Sequence, residues 1–597
     1  MKTSILSSEE RLALFTDLYE NAKAAYEDRL DAFERHYAQY KGSDLIDGST
    51  ERAKTVRNIT YEIIESQISS DIPLPKVDGA SYSERRDRNA KSIERLLYAI
   101  RDKLPFERMN DLDERYTYIY GGSVWYAEWD NGKKIGNEVG AVRLYCLPPR
   151  DFIPQPSVTE VADMEYCFLN FVTTGSDLIS RYGITREELS ECDTDEGGTD
   201  ECGTYNLTVA FYKDDDAEIG KLVFSGNRLL LDLPRAYSRK IKVCKCCGGG
   251  EDSCRCKKKS FITRDVPYED SRWGGLRRYG KAIPRFTPVL TDGAPIFDKC
   301  GEAVMKETEV PYYTPKSFPI VIRKNTSADG MLLGQSDCEY LRPEQQAINK
   351  IESRILMKLL RAGVTPIVPE DATVAVNNSV FGQVIRMKPG ESAAQYGKVD
   401  TTPDVTQDIA EAERLYQHAK RILGISDALA GLEKATNESG YARQLKIAQA
   451  SGRLESKKKM KHTAYADIDR IIFELYLAFA DEPRSLSYKD AYGRIHNAQF
   501  NRYDFIEFDA STGKYYYDDA YLFSVDHNGG AEYQREALWE RNLENLKAGS
   551  LGAPDSPETL LRYWQCQERA HYPYARENVE YFKLIVDSAS GGGDAIG

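Results

Sequence analysis

The chain has 597 residues, with 80 Lys and Arg against 94 Asp and Glu, a net charge of −14, and 41% hydrophobic residues. That length exceeds a single core, so three or four structural regions are expected. The acidic balance argues against a surface whose main task is gripping phosphates, because affinity for nucleic acid is dominated by basic neutralisation.

From Ser7 to Tyr40 the sequence alternates acids, bases and apolar residues and lacks the apolar core and cleavage site of a signal peptide, so the chain is expected to stay in the cytoplasm. Ser8-Glu9-Glu10-Arg11 reads as the cap of a helix with a stripe of Leu12, Phe15, Leu18 and Tyr19. A second helical stretch carries Tyr26, Leu30, Phe33 and Tyr37. Residues 56–69 read as a helix ended by Pro73 and Pro75, and 85–104 as a charged amphipathic helix. From 116 to 156 the pattern is aromatic and β-branched with turns at Gly121-Gly122 and Asn131-Gly132, which predicts a mixed helix and sheet domain. Strands are predicted at 205–212 and 221–231.

Twelve cysteines, five of them between Cys244 and Cys256, do not form a secreted disulfide framework, so reduced thiols are the default. The cluster is Cys244, Cys246 and Cys247, a turn at Gly248-Gly249-Gly250, then Cys254 and Cys256. Four thiolates in tetrahedral array would hold a structural zinc, and four of these five can supply them. The alternative is free thiols on a loop. A catalytic zinc is not expected, since no histidine or acid pattern leaves an open fourth position. Gly275 to Lys281 meets the spacing of a phosphate-binding loop, yet Ala282 stands where Ser or Thr would hold magnesium and Pro284 interrupts the helix. No catalytic constellation is assembled, and no apolar run approaches the ~18 residues of a membrane span.

The stretch from Gly330 to Gly440 organises the rest. Residues 341–362 read as a helix of roughly 30 Å with Pro343 in its first turn and Ile348, Ile351, Ile355 and Leu359 down one face. Residues 363–404 change to short β-branched runs with Pro366, Pro369, Gly382, Pro389 and Gly390, and a second helix follows at 405–423. Two helices flanking a small β insert form a stalk with a knob. After a loop at 424–440, a proline-free run at 441–480 predicts a helix of about 60 Å, where Gly452 marks a possible kink. Lys457-Lys458-Lys459-Met460-Lys461 is its one dense basic patch, either a salt-bridged and solvated face or a contact with DNA phosphates. Strand alternation returns at 503–508 and 514–525 as a hairpin expected to rejoin the first domain's sheet. Helices are predicted at 531–548, 557–568 and 576–585, and disorder at 588–597.

Several short pieces, in order, resemble the portal proteins of tailed bacteriophages, the head-to-tail connector family. They are Asn58 to Ile64; Tyr120-Gly121-Gly122-Ser123 before Trp129-Asp130; Pro148-Pro149-Arg150-Asp151; and Phe318-Pro319-Ile320-Val321. Then come Gly334-Gln335-Ser336-Asp337 leading into Gln345 to Asn349, and Gly424-Ile425-Ser426 with Glu438-Ser439-Gly440 opening the long helix. Residues 195–311 depart from the family. The resemblance implies an α+β chain with a mixed wing at 1–333, carrying the cysteine-rich insertion at about 240–260. It further implies stem helices at 334–362 and 405–423, a β-containing clip at 363–404, a channel loop at 424–440, a channel helix at 441–481, wing strands at 482–528 and a helical crown at 529–587.

It also implies a non-enzymatic ring of twelve copies at one capsid vertex, a conduit for double-stranded DNA during packaging and ejection. Partners would be the terminase motor, the major capsid protein and head-completion or neck proteins, with no membrane. The chain would reside in the virion, and in the host cytoplasm during assembly. An acidic channel wall suits a duplex that must pass without sticking. The channel residues implied are Asp427, Glu433, Lys434 and Glu438 with Lys457, Lys458, Lys459 and Lys461, and the subunit-packing residues Ile348, Ile351, Ile355 and Leu359. Gly424, Gly431 and Gly440 give the loop freedom to act as a sliding contact or valve; the alternative is a plain connector. Rival readings are a zinc-containing nucleic-acid-processing enzyme and a non-portal ring or scaffold protein of the virion.

Overall fold

Thirty-four residues, Ser8–Lys41, form one unbroken helix, α1, where the sequence predicts two. Its cap is Ser7 rather than Ser8: the Ser7 side chain accepts from the Glu10 backbone while Glu10 reaches back to the Ser7 backbone, a reciprocal capping box. The structure, a computed structural model, describes residues 6–43, 55–81, 83–135, 138–194, 201–215, 217–244, 261–267, 285–288, 290–291, 294–295, 305–308, 313–361, 364–367, 397–400, 404–425, 440–480, 483–489, 495–509, 514–526, 532–569, 572 and 575–590.

The chain mixes helix and strand. After α1 come α2 (Ile59–Glu65), β1 (Leu74–Gly79) and α3 (Glu84–Lys103). The helix α2 is half the predicted length. A further helix that periodicity did not reveal, α4 (Phe106–Tyr120), leads into the hairpin β2 (Gly122–Ile135) and β3 (Glu138–Leu147). Next are β4 (Phe152–Pro154), β5 (Tyr166–Thr174), α5 (Gly175–Tyr182), β6 (Thr204–Lys213), β7 (Ile219–Ser225) and β8 (Arg228–Leu233). The single strand expected at 221–231 is therefore two, turned at Gly226 in the left-handed region. Paired strands follow: β9 (Ser238–Cys244) with β10 (Phe261–Pro267), β11 (Arg285–Pro288) with β14 (Met305–Thr308), and β12 (Leu290–Thr291) with β13 (Ala294–Pro295).

β15 (Ile320–Lys324) joins β2 and β3 in a three-stranded antiparallel sheet of order β15-β2-β3. Then α6 (Asp337–Arg361), β16 (Val364–Ile367), β17 (Gly397–Asp400) and α7 (Thr406–Leu423) form the stalk, with β16 and β17 antiparallel at the far end of the described hairpin. The long helix α8 (Gly440–Phe479) precedes β18 (Arg484–Lys489), β19 (Ile495–Phe500), β20 (Ile506–Asp509), β21 (Lys514–Tyr517) and β22 (Tyr521–Asp526). β22 pairs antiparallel with β1, so the last of the late strands returns to the N-terminal part of the chain, in a two-stranded sheet apart from β15-β2-β3. The chain closes on α9 (Glu532–Lys547), α10 (Pro557–Arg569) and α11 (Ala575–Ser590), the last running past the residue at which disorder was expected to begin.

The five-stranded antiparallel sheet β4-β5-β6-β7-β8 is apolar on both faces, because strand side chains alternate and both sides are covered. Phe168, Tyr212, Leu222 and Phe224 pack under Phe15 and Ala22 of α1. Cys167, Leu169, Val209, Phe211 and Val223 face the other way, into the main core with β2, α3 and the second half of α8. Tyr465, Ile468, Ile472 and Phe473 of α8 are all within 2% of full burial, so this half of the helix is a core element.

Candidate functional site

The motif pieces that lie hundreds of residues apart in sequence meet at one place. Gly121 caps α4 with φ at 90°, and a Cβ there would collide with the Gly334 carbonyl, so only glycine fits. The Gly121 carbonyl accepts from Asn325 N at 3.0 Å, and Ser336 Oγ donates to the Ile119 carbonyl. Ser336 also accepts from Cys338 N at 3.0 Å, which caps α6. Because of this cap, α6 begins at Asp337, four residues before the expected start, and Pro343 lies inside the helix rather than in its first turn.

Beneath the crossing lies a knot of buried charge. The Arg323 guanidinium, 1% exposed, pairs with Asp113 and with Glu114 at 2.8 Å. Asp113 accepts as well from Ser123 Oγ and from Trp125 Nε1 at 2.9 Å. Lys461 Nζ pairs with Glu114 at 3.0 Å and donates to the Asp71 carbonyl. One turn earlier on α8, Lys457 pairs with Asp337 at 2.7 Å, and Asp337 also accepts from Gln67 at 3.0 Å and Asn325 at 2.8 Å. Three cations, Arg323, Lys457 and Lys461, thus balance three carboxylates, Asp113, Glu114 and Asp337. Burial pushes the Glu114 carboxyl up, but Arg323 and Lys461 outweigh it and hold the group below its ordinary value. Burial draws the Lys461 ammonium down, with Glu114 opposing.

The knot splits the lysine run that sequence treats as one patch. Lys457 and Lys461 turn inward, one helical turn apart, and serve as structural cations. Lys458 and Lys459 face outward, with Lys459 3.3 Å from Glu455. Of the four lysines in the run, only these two lie on an accessible face.

The stalk shows a gradient along its apolar stripe. Near the base, Ile348 is fully buried with Leu341, Tyr416, Ala419 and Leu423 against Ile59 and Ile63 of α2. On the adjoining face Gln345, Asn349 and Ser353 accept from the backbone amides of Thr60, Arg57 and Thr55 at 3.0, 3.2 and 3.0 Å. Further out Ile351 and Ile355 are half-buried. Toward the tip Leu359 is 52% and Leu360 68% exposed, with Ile409 of α7 at 55%. Arg354 and Lys358 clasp Asp408 across the hairpin, which holds the two helices together where the apolar contact thins.

Of the clustered cysteines, Cys244 ends β9 opposite Phe261 of β10. Cys246, Cys247, Cys254 and Cys256 lie outside the described residues, as do the channel-loop positions Asp427, Glu433, Lys434 and Glu438 and the glycine-rich run at 275–281. Among the described residues no group of His, Cys, Asp and Glu could hold a metal, and no helix is long and apolar enough to cross a membrane. A cavity of about 140 Å³ between the two sheets and α8 is lined by Glu128, Trp129, Phe211, Lys221 and Tyr237. Its Glu128 is held below the carboxylate range against burial by Lys221 and the hydroxyls of Tyr145 and Tyr126.

Sequence reasoning missed Asp113, Glu114, Arg323 and Asp337 as a set. The available signal was that Ser123 and Asp337 sit inside the quoted motifs, which marked where the partners converge. No protein-family model matches the chain, and no curated protein matches it in sequence.

Proposed function

We propose that this chain is a portal protein of tailed bacteriophages, a ring at one capsid vertex through which double-stranded DNA enters during packaging and leaves at ejection. The observation that carries the reading is the stalk. A helical hairpin whose apolar stripe is sealed at its base and increasingly bare toward its tip leaves leucines in water that repeated copies would cover. The convergence of the motif pieces around one buried knot supports the same reading, since it anchors both the stalk and α8 to the wing.

In this reading α6 and α7 are the stem, β16 and β17 the base of the clip, α8 the channel helix, and α9 to α11 the crown. Lys458 and Lys459 are the accessible lysines of the basic run on α8, and the loop between α7 and α8 slides along or valves the duplex. The cysteine-rich segment from Cys244 to Cys256 holds a structural zinc on four of Cys244, Cys246, Cys247, Cys254 and Cys256. The terminase motor, capsid and neck proteins dock on the outside of the ring. A negative-stain image of purified protein tests the reading: it predicts rings with an open channel wide enough for a duplex. Closed rings without a channel would favour a scaffold, and single particles of one chain would remove the proposal.

A further inference from the structure

The cavity between the two sheets and α8 is framed by facing cross-strand pairs. On the β2-β3 hairpin Glu128 stands opposite Arg143 and Tyr126 opposite Tyr145, and strand alternation sets all four on one face. On the five-stranded sheet Phe211 of β6 stands opposite Lys221 of β7 and shares its face. Lys221 Nζ donates to Tyr126 Oη at 3.2 Å, which joins the two faces. Tyr237 and Phe479, their ring centroids 6.0 Å apart and their planes at 51°, complete the apolar wall.

The carboxylate of Glu128 is well supplied, accepting from the hydroxyls of Tyr126 and Tyr145 at 3.0 Å each. The donors around it have capacity to spare. Lys221 carries three N–H groups, and its acceptors are the Tyr126 hydroxyl and Glu128 at 3.7 Å, the second beyond hydrogen-bond length. Arg143 carries five and reaches Tyr145 Oη at 3.2 Å and Asp130 at 3.4 Å. Tyr237 is 8% exposed, and its hydroxyl makes no hydrogen bond among the described residues. With Arg181, the lining carries three cations against two carboxylates, Glu128 and Asp130. The surplus here is of donors and of positive charge.

We infer that this cavity binds a small aromatic carboxylate of one ring, its charged end taken by Lys221 and Arg143 with Tyr237 as a further donor, and its ring held among Phe211, Phe479 and Tyr237. Size limits the ligand to one ring, since a cavity of about 150 Å³ takes a benzene molecule and this one is about 140 Å³. Chemistry selects the rest. A bare hydrocarbon would seal the spare donors away from any acceptor, and an inorganic anion would make nothing of the aromatic wall, whereas a flat ring packs against tilted aromatic neighbours. The site stands whether or not the chain forms a ring of subunits.

The test titrates full-length protein with benzoate at pH 7.5 and fixed ionic strength, read by calorimetry and by ligand-observed NMR. Benzylamine, cyclohexanecarboxylate and acetate serve as comparators for charge, ring and size. The expected result is saturable binding of one benzoate per chain that none of the three matches. Tyr237→Phe keeps the ring and deletes a hydroxyl with no hydrogen bond in the described chain, so the fold is undisturbed. It and Arg143→Gln should each weaken binding about tenfold, the loss of one charge-assisted hydrogen bond, while Lys91→Gln on α3 leaves it unchanged. The wild-type comparison among the four ligands needs no variant to fold. Absence of saturation, a comparator that binds as well as benzoate, wild-type affinity in both cavity variants, or an equal loss in Lys91→Gln would overturn the inference.

Discussion

Lys461→Met separates a structural lysine from a DNA-binding one. Methionine keeps the helix propensity and most of the aliphatic stem, so the substitution chiefly deletes the charge, which sits over the Tyr465 ring at 5.6 Å from its centroid. Lys461 is 4% exposed and Glu114, its partner at 3.0 Å, is 1% exposed. Without the ammonium, Glu114 and Asp113 share Arg323 alone, the Asp71 carbonyl loses its donor, and the knot carries an uncompensated negative charge. Breaking a buried pair by removing one member costs about 3–5 kcal/mol. Lys458→Met, on the exposed face of the same turn, should stay within about 0.5 kcal/mol. Urea unfolding followed by circular dichroism measures both, and salt-dependent binding to a short duplex, measured alongside, should rank the pair in the opposite order. Equal stabilities would refute the argument that α8 is fastened through this knot.

Leu359→Ser combined with Leu360→Ser should weaken self-association while leaving the monomer's stability nearly unchanged, because both are exposed in the single chain and burial of apolar area is worth about 25 cal/mol per Å². Ile351→Asp should weaken it less cleanly, since Ile351 is half-buried within the chain, and Lys358→Asp should loosen the hairpin itself because it sets a carboxylate against Asp408. Burial and Asp519 raise the Glu474 carboxyl to about 7, with Arg470 opposing. The folded chain therefore holds a proton that the unfolded chain releases from about pH 4.5, and this contribution is full at low pH and lost as pH rises through 7. Glu474→Gln should accordingly stabilise the protein by about 2 kcal/mol at pH 8, discounted for partial exposure, and by nothing at pH 4.5, read from thermal melts at the two pH values. Elemental analysis of protein purified without chelator should find about one zinc per chain, reduced by Cys247→Ser; a metal content indifferent to that substitution would remove the site.

The long helices were legible because their ends carry strong signals. The helix α3 starts and stops within a residue of its predicted bounds, and α8 within one at each end. The break predicted inside α1 came from reading two apolar stripes as two helices, where one helix packs its first part on the five-stranded sheet and its second against α4. The helix α4 stayed hidden because its Tyr116, Tyr118 and Tyr120 are aromatic in alternation and read as strand; the tertiary environment overrides that preference. The charge knot could not be read at all. A lone Asp113, Glu114 or Lys461 on a helix looks like a solvated face, and only the approach of segments more than 200 residues apart makes it a core. The isoleucine stripe of α6 was legible as a stripe, but its division into a base sealed by α2 and α7 and a bare tip required the structure.

Native mass spectrometry of the purified chain at micromolar concentration tests the central claim most directly. The account predicts a closed assembly of many identical 67.6 kDa subunits, centred on twelve, that dissociates when Leu359 and Leu360 are both replaced by serine. A monomer at every concentration and ionic strength, or an assembly indifferent to those two leucines, would contradict it.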